Sequence, residues 1–156
     1  MITKGDLETI KKETEKLLGF LGAHGTFEAL VKEDTQTIHI QVRVEDPKLF
    51  IGEKGQTLFE IQHLVKLIIR KKLPDTALYY ISLDMNDYKR NKEEYLQDLA
   101  RTTADEVSLL KKAKELPPMP SGERRIIHAA LGERTDVVSE SIGEEPDRRV
   151  VIKIKS

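Results

Sequence analysis

Apolar and polar residues alternate strictly between residues 37 and 44, where the sequence reads TIHIQVRV. A period of two residues is typical of a strand with one buried face. The apolar side consists of Ile38, Ile40, Val42 and Val44. The preceding segment 26–32 also has the composition of a strand, and the EDTQ between the two segments suits a hairpin loop. The pattern therefore predicts two consecutive strands.

Two longer segments follow the helical period instead. Residues 6–21 carry leucine and isoleucine at helical spacing and are followed by Gly22. Residues 56–72 carry a wide apolar stripe that Pro74 terminates. The stripe is predicted to contain Leu58, Ile61, Leu64, Val65, Ile68 and Ile69. Each segment is therefore predicted to be a helix with one face in a core.

A short apolar stretch, residues 47–51, is predicted to form one helical turn with Pro47 at its first position. A glycine turn follows it, and residues 77–85 are predicted to form a third strand. Because a helical crossover separates strands 37–44 and 77–85, we expect these two strands to pair in parallel.

The second half of the chain begins with a charged helix at residues 87–114, which ELPPMPSGE interrupts with three prolines. Beyond it the sequence predicts a strand-like segment, a helix with Ser121 as its N-cap, and two strands. Their ranges are 114–119, 122–131, 136–141 and 148–155. The predicted fold class is α+β, with two small domains at residues 1–86 and 87–156 joined by the long helix.

The amino-acid composition indicates the cellular compartment of the protein and excludes several kinds of site. The chain contains no cysteine, which excludes disulfides, zinc–cysteine sites and thiol nucleophiles. No apolar run approaches the roughly 18 residues that span a membrane, and the N-terminus lacks the apolar block of a signal peptide. We therefore expect a cytoplasmic protein without a membrane span. The net charge of −1 argues against a strongly basic nucleic-acid binder, but residues 48–72 are locally basic.

The sequence FIGEKGQTL places two glycines three residues apart between predicted helices. Glycine permits positive φ angles and the close approach of another backbone. The first N–H groups of the following helix lack intrahelical partners and lie at the positive end of its dipole. Two interpretations stay open: a corner packed for internal reasons, and a clamp for a nucleic-acid backbone. The clamp would contain Gly52, Glu53, Lys54 and Gly55, with a basic track extended by Lys66, Arg70, Lys71 and Lys72.

A second candidate is the stretch RRIIH at residues 124–128. On a helix, Arg124 and His128 lie four residues apart and share a face. On an exposed face the guanidinium would suit a phosphate, and the imidazole would suit a base. A solvated pair without a ligand is the alternative. Arg125 and Arg148 are expected to support the arginine and histidine.

No arrangement of residues predicts catalysis. The four histidines are scattered, and Asp84, Asp87 and Asp98 are too far apart for a metal cluster. The chain lacks a Walker phosphate loop, and no nucleophile or pair of carboxylates accompanies Glu123 and Arg124. We therefore predict a protein that is not an enzyme and that needs neither a cofactor nor a metal.

The order strand, short helix, Gly-x-x-Gly, helix, strand resembles the KH domain, whose glycine loop clamps about four backbone nucleotides. The additional helix and strand before it are similar to the type II form, helix-strand-strand-helix-helix-strand around a three-stranded sheet. Glu53 departs from the pattern, because KH loops often carry basic or small residues there. This carboxylate predicts weak or salt-sensitive binding.

The stretches PPMPSGERRIIHAAL and SESIGEEPDRRVVI resemble the single-stranded nucleic-acid-binding domain named for its Arg-x-x-x-His signature. The ordered pair of domains resembles the Jag family (KhpB, EloR) of bacterial RNA-binding proteins over nearly the whole chain. The resemblance implies a cytoplasmic RNA-binding regulator, linked to cell division and envelope growth, that partners a small KH-only protein. Many members carry an additional N-terminal Jag domain, for which the sequence shows no counterpart.

Together these features predict a protein that binds single-stranded RNA, or single-stranded DNA, and regulates gene expression after transcription. Two weak sites on one strand would gain from effective concentration. The alternative is a protein-interaction adaptor that self-associates through its KH-like domain and binds nucleic acid incidentally. The net acidity and Glu53 keep this alternative open.

Overall fold

The computed structural model describes all residues from Met1 to Ser156, and they form two compact units, Met1–Lys89 and Arg90–Ser156. Five α-helices and two three-stranded sheets confirm the α+β prediction. The first unit contains α1 (Lys4–Phe20), β1 (Gly25–Lys32), β2 (Thr37–Val44), α2 (Lys48–Ile51), α3 (Gln56–Lys72) and β3 (Tyr80–Met85). The second contains most of α4 (Tyr88–Leu110), then β4 (Lys114–Glu115), α5 (Ser121–Leu131), β5 (Val137–Ile142) and β6 (Arg149–Ile154).

The sheet of the first unit has the order β1-β2-β3. The first two strands form an antiparallel hairpin, in which Lys32 lies opposite Thr37. The third strand pairs in parallel with the second, as the crossover predicted, and Ile40 lies opposite Leu83. At the open edge of β3, the backbone N–H of Leu83 donates to Oε1 of Gln62, a residue of α3, at 2.9 Å.

The core of the first unit lies between one face of this sheet and helices α1 and α3. Alternation in β2 buries Ile38, Ile40 and Val42 completely, as predicted for that strand. The stripe of α3 is narrower than predicted: Ile69 is buried, Ile68 is half-buried, and Leu64 is 47% exposed. The buried apolar positions of α3, Leu58, Ile61, Val65 and Ile69, are three or four residues apart and define one face.

The second unit has its own core, in which one face of α4 packs with α5 and an antiparallel sheet of order β4-β6-β5. Helix α4 ends at Leu110, four residues earlier than predicted, because Lys114 already pairs with Ile152 across β4 and β6. The predicted strand at 114–119 is reduced to two residues. The predicted cap at Ser121 is wrong: Pro120 holds the N-cap position, and no side chain caps the helix.

Candidate nucleic-acid interface

The glycine loop lies between α2 and α3, and three of its residues have positive φ angles. Gly52 has φ 72° and ψ −175°, Lys54 has φ 53°, and Gly55 has φ 78°. Three backbone hydrogen bonds hold the loop: the N–H of Gly52 donates to the carbonyl of Lys48, that of Gly55 to the carbonyl of Gly52, and that of Gln56 to the carbonyl of Glu53. This conformation explains why the sequence needs glycine at both ends.

Both glycines also face parts of their own unit. A Cβ atom at Gly52 would lie 2.1 Å from Oγ1 of Thr57, and one at Gly55 would lie 2.8 Å from the ring of Tyr88. Both approaches are shorter than normal contacts of a Cβ atom, so Thr57 or Tyr88 would have to shift. Internal packing therefore accounts for the two glycines without any ligand, and a phosphate clamp at the loop would depend on the backbone donors of α3.

Helix α3 begins directly after the loop without a side-chain cap. Gly55 is its N-cap, and its first turn contains no acidic residue. The first N–H groups of such a helix attract anions through their own donors and the helix dipole. Glu53 and Lys54 are both exposed beside it, so one repulsive and one attractive charge stand at the entrance. The start of α3 therefore suits a backbone phosphate, while the charges of Glu53 and Lys54 nearly cancel each other beside it.

Exposed apolar side chains flank the loop, and the sequence interpretation missed them. Leu49, in α2, is 83% exposed, and Phe59, in the first turn of α3, is 65% exposed. Their signal in the sequence is that both are large apolar residues outside the buried stripe. An aromatic ring beside a phosphate-binding loop offers a base a stacking surface.

The predicted basic track lies farther along α3. At 1.5 Å per residue, Lys66 and Arg70 lie about 15 and 21 Å beyond Gln56 along the helix axis. Both are half-buried, and Lys72 is engaged in an ion pair with Glu13 at 2.5 Å. The structure therefore does not bring these cations together with the glycine loop.

In the second unit, Arg124 is not on an exposed face, which corrects the sequence expectation. Its side chain is 8% exposed, and Nη1 donates to the carbonyl of Met119 at 3.2 Å and to Oε1 of Glu145 at 2.8 Å. Arg124, Ile127 and Leu131 are the buried residues of α5. The arginine thus lies on the helix face that packs inward, and a carboxylate balances its charge there.

His128 is half-buried one turn along the same helix, and both of its ring nitrogens are engaged by β5. Nδ1 lies 2.7 Å from Oγ of Ser139, and Nε2 lies 2.8 Å from Oγ of Ser141. Burial lowers the pKa of His128 below its usual value, and the nearby charge of Arg124 lowers it further. A neutral imidazole has one donor and one acceptor nitrogen, so one serine accepts a hydrogen bond while the other donates.

The two supporting arginines lie in different places. Arg125 is exposed and lines a groove between α4 and α5 with Arg101, and neither Arg124 nor His128 lines that groove. Arg148 lies close to Arg124 through the backbone, because its carbonyl accepts from the N–H of Met119 at 3.1 Å. The backbone of Arg148, and not its exposed side chain, is therefore what links it to Arg124 through Met119.

No group of three or more histidine, aspartate or glutamate side chains is arranged to hold a metal ion. None of the helices combines the length and apolar character that crossing a membrane requires.

Comparison with known proteins assigns the second unit. Residues 94–153 match the R-three-H domain, the family named for an arginine and a histidine separated by three residues. The match contains Arg124 and His128, so the prediction of an Arg-x-x-x-His domain in this part of the chain is confirmed.

Three relatives are each named RNA-binding protein KhpB. The chain is 38% identical to the protein of Clostridium symbiosum over 123 residues, which are 79% of this chain and 54% of the relative. It is 32% identical to that of Bacillus subtilis over 133 residues, 84% of this chain and 63% of the relative. It is 28% identical to that of Streptococcus pneumoniae strain D39 over 152 residues, 96% of this chain and 46% of the relative. The chain thus spans between 46% and 63% of the length of these relatives.

Proposed function

We propose that this chain is a single-stranded RNA-binding protein of the KhpB (Jag) family. The carrying observation is that relatives named RNA-binding protein KhpB align with both units, one of them over 96% of the chain. The match of residues 94–153 to the Arg-x-x-x-His domain supports a nucleic-acid contact in the second unit. Single-stranded DNA is the other ligand that such a site would accept.

We propose further that the first unit is a type II KH-like domain with its ligand at the glycine loop. The order of its elements, its sheet order and the parallel pairing of β2 with β3 support this interpretation. In this proposal, phosphates contact the N–H groups at the start of α3, and Lys54 adds charge. Leu49 and Phe59 offer the bases an apolar surface.

The proposal for the first unit is tested by fluorescence anisotropy with a labelled single-stranded RNA and the full chain. Lys54→Glu should weaken binding about five- to tenfold, because it replaces an attractive charge at the loop with a repulsive one. Glu53→Gln should tighten binding about two- to threefold, since it removes the repulsive charge. Lys12→Glu is the matched control, because it changes the net charge equally at an exposed position in α1. Equal affinities of Lys54→Glu and Lys12→Glu would remove the loop from the proposal.

We also propose a role for the protein in the cell. In this proposal it is a cytoplasmic regulator that acts after transcription and is linked to cell division and envelope growth. It works with a small KH-only partner. Cross-linking the protein to RNA in its native cell, followed by sequencing, tests the regulatory part. A reproducible set of bound transcripts is expected. Recovery of only the background distribution of abundant RNAs would argue against it.

A protein-interaction adaptor is the second candidate, and one observation favours it. Phe20, at the end of α1, is 81% exposed and lines an apolar groove of about 330 Å³ with Leu17 and Ile68. Exposed apolar patches mark interaction surfaces. Light scattering after gel filtration, with the wild type and Phe20→Ser, distinguishes the two: a dimer that the substitution dissociates supports the adaptor.

A further inference from the structure

Arg124 is held between two acceptors of different mobility. The first acceptor is the backbone carbonyl of Met119. The N–H of Met119 donates in turn to the carbonyl of Arg148, which directly precedes β6. The second acceptor, the carboxylate of Glu145, belongs to a side chain that is 58% exposed, whereas the side chain of Arg124 is 8% exposed. One contact therefore fixes the guanidinium in place, and the other can be released into solvent.

Glu145 lies in the loop between β5 and β6, in which residues 143–148 are all exposed. The same loop carries Glu144 and Asp147 with one arginine, Arg148, so its net charge is negative where a nucleic-acid ligand would require positive charge. Glu144 makes no ion pair, which shows that Glu145 is distinguished by its contact with Arg124 and not by its charge alone. The free protein thus satisfies its buried arginine with an anion of its own.

A carboxylate and a phosphate present the same kind of oxygen to a guanidinium, and both accept charge-assisted hydrogen bonds. Building on the proposed function, we propose that Glu145 is an internal competitor that occupies Arg124 until an RNA phosphate displaces it. The anion-binding position at Arg124 is then closed in the free protein and opens when the loop at residues 143–148 moves aside.

The burial of Arg124 determines what can open it. A buried charge that loses its only counter-charge is strongly disfavoured, so Glu145 leaves only when another anion takes its place. The contact with Met119 keeps Nη1 in position during the exchange.

The test measures the affinity of the full chain for a labelled single-stranded RNA in two matched variants. Glu145→Gln keeps an oxygen that can accept from Arg124 but removes the competing charge, and it should tighten binding about three- to tenfold. Glu144→Gln removes an equal charge from the same loop without touching Arg124, and it should tighten binding no more than about twofold. Thermal unfolding followed by circular dichroism verifies that both variants remain folded.

A double-mutant comparison separates competition from general electrostatics. In an Arg124→Met background, Glu145→Gln should no longer change the affinity. A gain that persists there would show that Glu145 acts through the charge of the loop and would overturn the inference. If Arg124→Met does not fold, the comparison of Glu145→Gln with Glu144→Gln still decides.

The remaining outcomes are distinct. Weaker binding by Glu145→Gln would mean that Glu145 positions Arg124 for the ligand, and equal binding by the two loop variants would remove its special role; either result overturns the inference and leaves the proposed function intact. Failure of the wild type and of Glu145→Gln alike to bind RNA would overturn both. If Glu145→Gln binds RNA and the wild type does not, the inference is supported, because Glu145 would then keep the wild-type position at Arg124 fully closed.

Discussion

Replacing Gly52 by alanine would strain the backbone of the glycine loop and create a steric overlap with Thr57. The structure allows the energetic cost of each effect to be assessed. The backbone angles of Gly52, φ 72° and ψ −175°, lie in a region that is accessible essentially only to glycine. Holding another residue there costs about 1–3 kcal/mol. The added methyl group would also lie 2.1 Å from Oγ1 and 2.7 Å from Cβ of Thr57. Relieving such an overlap costs about 1–3 kcal/mol more.

Gly52→Ala should therefore lower the free energy of unfolding of the first unit by about 2–6 kcal/mol, a large part of the roughly 5–15 kcal/mol that stabilises a typical domain. Gly55→Ala should cost less, about 1–2 kcal/mol. Its φ of 78° and ψ of 10° lie in the left-handed helical region, and its closest approach, 2.8 Å to the ring of Tyr88, is a smaller overlap than the one at Gly52. Gly19→Ala is the control inside α1. No atom lies within 4 Å of its added methyl group, so a gain of up to about 1 kcal/mol is expected.

Urea titration followed by the amide NMR signals of β2 measures the first unit separately from the second. The urea concentration at the unfolding midpoint should be highest for Gly19→Ala, lower for Gly55→Ala and lowest for Gly52→Ala. A value for Gly52→Ala within about 0.5 kcal/mol of the wild type would refute the packing argument, since neither the backbone angle nor the contact with Thr57 would then constrain the loop. The glycine at position 52 would have to be explained by a ligand instead.

Three further predictions concern stability. Because the folded pKa of His128 is lowered, the second unit should lose stability as the pH falls below about 6.5, and His128→Gln should flatten this dependence. Arg134 holds the pKa of Asp136 well below its usual range, so Asp136→Asn should reduce the stability lost below about pH 4. Gln62→Leu leaves the N–H of Leu83 unpaired at the edge of β3 and should cost about 1–3 kcal/mol. Urea titration at a series of pH values measures all three.

The first unit was predictable where short-range periodicity determines the element. The alternation at residues 37–44 and the helical period at 56–72 gave both elements their observed limits, because each buries a single face. The start of β3 was not predictable in this way. Residues 74–78 form a 3-10 turn in which Oγ1 of Thr76 donates to the carbonyl of Leu73 at 2.6 Å. An apolar–polar pattern does not register such a local bond.

In the second unit, periodicity contained information that the sequence interpretation did not use. Arg124 precedes Ile127 by three residues and Leu131 by seven, which places it on the buried stripe of α5. The motif drew attention to its spacing from His128 and away from this stripe. Its partner could not be predicted, because Glu145 lies 21 residues away and the sheet brings it back. A charged residue at a stripe position is the signal to look for a buried ion pair.

The two candidate sites combine fold and ligand in opposite ways. At the glycine loop, Thr57 and Tyr88 restrict what can replace the glycines, and the groups proposed to bind phosphate are backbone N–H groups, which every substitution except one to proline leaves in place. Changing the glycines therefore reports on stability, and only a change of charge at the entrance reports on binding. At Arg124, the proposed binding group is itself a side chain in the core, so truncating it affects stability and binding together. Its function is better measured by replacing Glu145 with glutamine than by removing the arginine, because Glu145→Gln leaves the guanidinium in place and keeps an oxygen that can accept from it.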